Sequence, residues 1–283
     1  MKSQPIGFLD SGIGGLTVVK EALRQLPNES IVYLGDQARL PYGPRPASEV
    51  AHFVQQITGF LLAQNVKAIV IACNTATAAA LPILQAKLSI PVVGVIDSGS
   101  QSAVAMSQAQ QIGVIATAGT ISSHAYHRAI TKLSPQATIS GLACPEFVTI
   151  VENNQAETPE TAKTVAEKLS YFKPGQIDTL ILGCTHFPLL QPAIEAAVGP
   201  NVQLVDSGVE TVTKIKQLLT DQKLLAPSNH VASHAFYTTG ATAPFDEIAA
   251  NWLQLPGLTA KHIAVDGLVA YGDLEEGEPT DEA

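Results

Sequence analysis

The chain has 283 residues, of which 46% are hydrophobic and 14% are charged, and its formal net charge is −9. This composition is typical of a folded protein and excludes a disordered one, and the length is sufficient for two domains or one large domain. The Lys and Arg residues are scattered under a net negative charge, so we expect no nucleic-acid partner.

The apolar runs are all shorter than the roughly 18 residues that a membrane span needs. Gly7, Asp10 and Ser11 interrupt the first of these runs, which therefore lacks the continuous apolar stretch of a signal peptide. We expect a cytosolic protein with no membrane partner, whose three cysteines stay reduced.

Short apolar runs rich in Val and Ile alternate with helical patterns along the chain. Continuous apolarity of this kind is typical of parallel strands that are covered on both faces. The predicted strands are 6–10, 30–35, 67–73, 91–97, 112–117, 179–184 and 202–207. The predicted helices are 15–26, 47–64, 75–88, 98–109, 121–133, 160–171, 189–198 and 208–220. The alternation predicts an α/β fold with a ligand at the carboxyl ends of the strands.

Two short patterns recur along the chain and indicate a duplicated architecture. FLDSG (8–12), VIDSG (95–99) and LVDSG (204–208) share one pattern, and IACNT (71–75) and LGCTH (182–186) share another. Two similar parallel-sheet α/β domains would explain both repeats. Chance is the alternative explanation, because an apolar residue followed by Asp-Ser-Gly is a common strand-to-turn sequence.

The repeats suggest where the domains begin and end. We expect a first α/β domain formed by 1–97 plus 208–272, and a second formed by 98–207. The acidic segment 273–283 has almost no apolar content and is predicted to be a solvated, disordered tail. A functional acidic tail is the alternative interpretation.

The glycine-rich stretch DSGIGG (10–15) follows the first predicted strand. It departs from the Rossmann pattern because Thr17 stands where the third Gly should be, and no Gly-Lys-Ser/Thr follows to make a phosphate-binding P-loop. The stretch therefore predicts either a plain tight turn or a strand-to-helix turn whose free N–H groups could bind a carboxylate.

Cys73 and Cys184 both follow apolar strands and precede small polar residues. Both fit the start of a helix, where the helix dipole lowers the pKa of a thiol. Packing in the core is the alternative for either cysteine taken alone. Cys144 has no matching partner and is interpreted as structural.

Several chemistries can be compared for these residues. The cysteine spacings contain no C-x-x-C pair, so we expect no metal. A Cys–His hydrolase would leave Cys73 without a role, and Cys184 and His186 are only two residues apart. Two thiols on opposite sides of one ligand could instead remove and return a proton and so invert a stereocentre. Asn74, Thr75 and Thr185 are suitable donors for the negative charge that develops.

Six segments together resemble the cofactor-independent aspartate/glutamate racemase family, and within it the glutamate racemases. They are GFLDSGIGGLTV (7–18), YLGDQARLPYG (33–43), ACNTATAAAL (72–81), IATAGTI (115–121), CPEFVTIVE (144–152) and GCTHFPLL (183–190). The match covers most of 6–255, and DSGIGG, PYG, CNT and GCTHFP in this order are highly specific together. The resemblance implies two α/β domains with the active site in the cleft between them.

The resemblance also implies an activity. It is the interconversion of L- and D-glutamate without a cofactor, that is, without pyridoxal phosphate, metal or nucleotide, to supply D-glutamate for bacterial peptidoglycan. Members of the family are often dimers, which makes a homodimer a possible assembly. Racemisation of aspartate or another amino acid, and an amino-acid-binding sensor that has lost turnover, are the alternatives that stay open.

The resemblance implies roles for individual residues. Cys73 and Cys184 would be the two acid/base groups, with Asp10 assisting Cys73 and His186, oriented by Glu152, assisting Cys184. By family analogy, Cys73 would deprotonate D-glutamate and Cys184 would deprotonate L-glutamate. The implied substrate-binding residues are Asp10, Ser11, Tyr42, Gly43, Asn74, Thr75, Thr117, Thr120, Thr185 and His186.

Some of these positions have simpler interpretations. Asp10 could be a turn acceptor, Glu152 a surface charge and His186 a structural histidine. Gln37 and Thr149 depart from the family pattern, since a small hydroxyl residue and Pro are expected there. Both lie next to the site motifs rather than in them.

Overall fold

The computed structural model describes residues 2–272 of the chain, and the predicted acidic tail 273–283 lies outside the described residues. The strands are β1 Ile6–Asp10, β2 Ile31–Gly35, β3 Ala68–Ile71, β4 Val92–Gly94, β5 Gln111–Ala116, β6 Thr138–Ala143, β7 Thr179–Gly183, β8 Gln203–Asp206, β9 His234–Thr238 and β10 Ala260–His262. Within the described residues no helix has the length and apolarity needed to cross a membrane.

Helices connect these strands. They are α1 Leu16–Gln25, α2 Ala47–Ala63, α3 Asn74–Lys87, α4 Val95–Met106, α5 Ala118–Ser122, α6 Ala125–Leu133, α7 Pro145–Glu152, α8 Pro159–Leu169, α9 Gln191–Val198, α10 Ser207–Asp221, α11 Thr242–Leu253 and α12 Val265–Val269. Short 3₁₀ helices lie at Gln37–Arg39 and Phe187–Leu190.

The strands form two parallel sheets. The first has the order β10-β9-β2-β1-β3-β4 and the second the order β6-β5-β7-β8. Strands β1, β2, β3 and β7 are buried along their whole length, and separate apolar cores pack on the two faces of each sheet. The predicted α/β fold with two parallel-sheet regions is confirmed.

The chain enters the first sheet twice. After α10, strand β9 pairs with β2 and strand β10 pairs with β9, so the C-terminal part of the described chain adds two strands to the sheet that the N-terminal part began. The second sheet uses only strands β5 to β8, which are contiguous in sequence. The predicted domain boundaries stay a prediction.

Three parts of the predicted element pattern are wrong. The helix predicted over 121–133 is divided into α5 and α6, because His124 has a left-handed backbone conformation. The strand predicted over 91–97 ends at Gly94, and Val95 to Asp97 form the first turn of α4, because a short buried apolar run fits a helix as well as a strand. Strand β6 lies at the edge of its sheet, and the residues of β6, β9 and β10 are mostly not buried. Their apolar signal is therefore weak, and none of the three strands is predicted from the sequence.

Candidate active site

A cavity of about 370 Å³ opens between the carboxyl ends of the two sheets. Most of the predicted site residues line it, namely Ser11, Tyr42, Gly43, Cys73, Asn74, Thr75, Thr117, Cys184, Thr185 and His186. Asp10, Thr120 and Glu152 lie behind this lining. Cys73 follows β3 of the first sheet and Cys184 follows β7 of the second, so each sheet contributes one thiol to the cavity wall.

Cys73 is the N-cap residue of α3, as predicted. Its Sγ accepts the Ala76 N–H at 3.5 Å and lies 3.6 Å from Oγ of Ser11. The predicted lowering of its pKa is wrong. Burial, followed by the charge of Asp10, raises the pKa of the Cys73 thiol to about 12, because the loss of solvation outweighs the helix start. Cys73 is therefore a neutral thiol in the unliganded protein.

Cys184 has a different local structure. It follows β7, and its carbonyl accepts the N–H of Phe187 in the 3₁₀ helix, while the next α-helix begins only at Gln191. The predicted position at the start of an α-helix is therefore wrong for this cysteine. Its polar partner is a side chain, because Nδ1 of His186 lies 3.7 Å from Sγ.

His186 connects Cys184 to Glu152. Its Nε2 lies 2.6 Å from Oε1 of Glu152. Burial is the largest single influence and lowers the pKa of His186, but the hydrogen bonds and charges of Cys184 and Glu152 together outweigh it and raise that pKa to about 10. His186 is therefore an imidazolium at neutral pH and lies beside Cys184.

Asp10 lies at the end of β1 and is fully buried. Its Oδ2 accepts the Gly12 N–H at 3.0 Å, and its Oδ1 has no hydrogen-bond partner among the described residues. Burial raises the pKa of Asp10, and His186 and the N–H groups of Gly15 and Gly12 partly offset this effect. Asp10 is not one of the residues that line the cavity, so its charge acts on the site from behind the lining.

A cluster of three hydroxyl groups joins the two halves of the site. Oγ1 of Thr75 lies 2.9 Å from Oγ1 of Thr117 and 3.2 Å from Oγ1 of Thr120, and the last two are 3.1 Å apart. Thr117 also caps α5 through the Thr120 N–H. Thr75 and Thr117 face the cavity, whereas Thr120 supports them from behind.

The segment around Tyr42 forms one wall of the cavity. The Tyr42 hydroxyl donates to Oδ2 of Asp36 at 2.5 Å, so it is engaged with the protein. Gly43 lies close to Thr117, since a Cβ on Gly43 would come within 3.1 Å of that side chain. The Leu40–Pro41 peptide bond in the same segment is cis.

The wall that includes Thr185 and His186 depends on close contact between these two residues and the glycine-rich turn 10–15. A Cβ on Gly14 would lie 2.4 Å from Oγ1 of Thr185 and 2.6 Å from Cε1 of His186. The Thr17 hydroxyl also lies 3.1 Å from the Thr185 carbonyl, to which it can donate. The glycine-rich turn thus makes room for the segment that carries Cys184.

Part of the cavity wall was missed by the sequence analysis. These mainly apolar residues are Leu40, Pro41, Pro44, Ala118, Pro145, Val148 and Thr149. Thr149 was expected next to the site motifs rather than in the site, but α7 presents it to the cavity. A usable signal existed, since each of these residues lies within a few positions of a motif residue or belongs to the segment 144–152.

A two-sheet α/β protein in which each sheet places one thiol at a shared cavity has the arrangement that the resemblance implied for an amino-acid racemase. Residues 11–215 match the family described as Asp/Glu/Hydantoin racemase. The chain is 52% identical to the glutamate racemase of Latilactobacillus sakei subsp. sakei over 94% of its own length and 96% of that protein. It is 48% identical to a glutamate racemase of Listeria monocytogenes, over 92% and 98% of the two chains.

Solved structures agree with these relatives. A glutamate racemase isoform of Bacillus anthracis has a TM-score of 0.90 at 43% identity and covers 94% of this chain and 99% of its own. The Francisella tularensis glutamate racemase, in complex with D-glutamate, has a TM-score of 0.87 at 36% identity with the same coverage. The chain belongs to the Asp/Glu/hydantoin racemase family as a member of its glutamate racemases, and is thus an amino-acid isomerase. The predicted family and enzyme class are confirmed.

Proposed function

We propose that the protein interconverts L- and D-glutamate by proton transfer at Cα, with Cys73 and Cys184 acting on opposite faces of the substrate. The observation that carries this proposal is the pair of buried thiols that line one cavity from two different sheets. A single base would need to move across the substrate, whereas two fixed groups can invert the stereocentre without moving.

The two thiols have unlike surroundings, and this difference suggests a direction for the resting enzyme. Cys184, which lies beside the His186 imidazolium that Glu152 holds, would act as the base. Burial keeps Cys73 as a neutral thiol, which is the acid. In this state Cys184 would take the α-proton of L-glutamate, and its S–H bond would form as the C–H electron pair moves toward the α-carboxylate.

The second half of the step returns a proton to carbon. The Cα electron pair takes the Cys73 proton on the opposite face, which gives D-glutamate and leaves Cys73 as a thiolate. Asp10, whose charge acts on Cys73, would hold the substrate ammonium and thereby reduce the repulsion between two negative charges. The reverse reaction uses the same groups with their roles exchanged, so Cys73 would deprotonate D-glutamate.

The substrate carries two carboxylates, but none of the described residues that line the cavity is Lys or Arg. The available donors are the Thr75 and Thr117 hydroxyls, the Asn74 amide and the His186 imidazolium. The first N–H groups of α3 also have no partner within their own helix. Donors fixed in this way stabilise the charge that develops on the α-carboxylate, which the weak acidity of the α-proton requires.

The substrate and the biological role rest on the relatives. The D-glutamate bound to the Francisella tularensis protein supports glutamate as the ligand here. The aspartate racemase of Picrophilus torridus, at 16% identity, shares the fold alone, so it does not favour aspartate. We further propose that the D-glutamate supplies cytosolic peptidoglycan synthesis, that the reaction needs no cofactor, and that a homodimer is a possible assembly.

The test follows both enantiomers in D2O. Purified protein is incubated with L-glutamate, and optical rotation and the α-proton NMR signal are recorded together. Deuterium that enters the D-product first, while recovered L-glutamate keeps its α-proton, supports two separate thiols. Deuterium that enters both enantiomers equally from the start contradicts the two-base mechanism. Binding of glutamate without any loss of rotation would favour an amino-acid sensor instead.

A further inference from the structure

Tyr126 lies on α6, which packs against the second sheet, and the residue is 3% exposed. Its side chain reaches α3, which follows strand β3 of the first sheet. Its hydroxyl donates to Oδ1 of Asn74 at 2.7 Å. Its ring lies against Gly183, because a Cβ on that glycine would come within 3.1 Å of Cε2. Asn74 directly follows Cys73 and Gly183 directly precedes Cys184, so this one side chain contacts a neighbour of each thiol.

The Asn74 amide is engaged on one side only. It is 3% exposed and lines the cavity, and its Nδ2 has no hydrogen-bond partner among the described residues. An amide can present either its oxygen or its nitrogen to a ligand, and its neighbours decide which. A hydroxyl that donates to Oδ1 leaves Nδ2 for the cavity.

The hydroxyl of Tyr126 is well suited to this role. Burial raises the pKa of Tyr126 well above its usual value, so the hydroxyl keeps its proton. The neighbouring Ser207 hydroxyl donates to the Leu182 carbonyl at 3.4 Å, and the Tyr126 proton is directed to Oδ1 of Asn74.

We propose that Tyr126 is a positioning residue of the racemase, which turns Nδ2 of Asn74 toward the cavity to bind a substrate carboxylate. This inference rests on the donor role proposed for Asn74, but not on the identity of the two bases. Without the hydroxyl, the Asn74 amide can rotate and present its oxygen, which repels a carboxylate. Most of the loss should appear in KM, because the carboxylate is already charged in the bound substrate, and the charge that develops in the transition state should add only a smaller effect on kcat.

The test is a double-mutant cycle with Tyr126→Phe, Asn74→Ala and the double variant. The Phe ring keeps the contact with Gly183 and removes only the hydroxyl. We expect Tyr126→Phe to raise KM about five- to twentyfold for both enantiomers, while kcat changes less than about threefold. In the Asn74→Ala background, Tyr126→Phe should have no further effect on KM. The matched control is Tyr237→Phe, whose hydroxyl contacts Gln64 at 3.4 Å away from the cavity.

The outcomes separate the possible failures. An unchanged KM in Tyr126→Phe, a fall in kcat alone, or full additivity in the cycle would overturn the role of Tyr126. A wild-type KM in Asn74→Ala would remove the donor role of Asn74 and this inference with it. Neither result would affect the two-thiol mechanism, which the deuterium experiment tests. Because the substrates are enantiomers, kcat/KM must fall equally in both directions, which checks the data internally.

Discussion

Nε2 of His186 lies 2.6 Å from Oε1 of Glu152, while Nδ1 of the same ring lies 3.7 Å from Sγ of Cys184. The side chain of His186 is 3% exposed and that of Glu152 is 25% exposed, so the carboxylate links a buried imidazolium to the protein surface. This chain of contacts makes the surroundings of Cys184 unlike those of Cys73.

The His186–Glu152 pair should make stability depend on pH. The pKa of His186 is raised from 6.5 to about 10, so its contribution to stability is fully present below pH 6.5 and is lost as pH rises toward 10. We expect Glu152→Gln to lower Tm by about 3 to 8 °C at pH 6, and by much less at pH 10. Thermal melts of both proteins across this range check the prediction. A Tm difference that stays constant with pH would contradict it.

Each cysteine should be indispensable for racemisation. We expect Cys73→Ser and Cys184→Ser each to lower kcat by about 10³-fold or more, because a hydroxyl is a much weaker acid than a thiol. Exchange of the α-proton separates the roles of the two groups. Cys184→Ser should keep the faster exchange with D-glutamate and Cys73→Ser with L-glutamate. Equal losses with both enantiomers in both variants would defeat this assignment of faces.

Gly14 should be required for the close contact between the turn 10–15 and the segment that carries Cys184. A Cβ at Gly14 would lie 2.4 Å from Oγ1 of Thr185 and 2.7 Å from Nδ1 of His186, so Gly14→Ala must displace the segment that carries Cys184. We expect kcat/KM to fall about 10²-fold, as for a displacement of roughly 1 Å at a catalytic group. The matched control is Gly267→Ala in α12, where the nearest atom lies at 3.6 Å. If the two variants have equal activity, the contact is not needed.

The Tyr42 hydroxyl should matter for stability rather than for binding. It donates to Asp36, whose carboxylate also accepts hydrogen bonds from Arg39 and Thr239. We expect Tyr42→Phe to cost about 1 to 3 kcal/mol, because a buried carboxylate loses a donor, and to change KM less than about threefold. Urea unfolding and steady-state kinetics measure the two quantities. A tenfold rise in KM with unchanged stability would instead place this hydroxyl on the substrate.

Much of the fold could be predicted from the sequence because parallel strands covered on both faces are continuously apolar. Strands β1, β2, β5, β7 and β8 lie within one residue of the predicted bounds. The apolar signal fails where burial is partial, as in β6, β9 and β10. It also fails at 95–97, where both a strand and the first turn of a helix would be buried.

The sequence by itself determined the two cysteines and their placement at strand ends, because the carboxyl ends of parallel strands lie at one edge of a sheet. It could not determine the protonation of Cys73. The pKa of Cys73 rises because segments distant in sequence exclude water from it, and the imidazolium beside Cys184 depends on Glu152 from α7. Tertiary packing alone turned the Tyr42 hydroxyl toward Asp36 and placed Tyr126 between the neighbours of both thiols, since solvation and side-chain direction are set by contacts between distant segments.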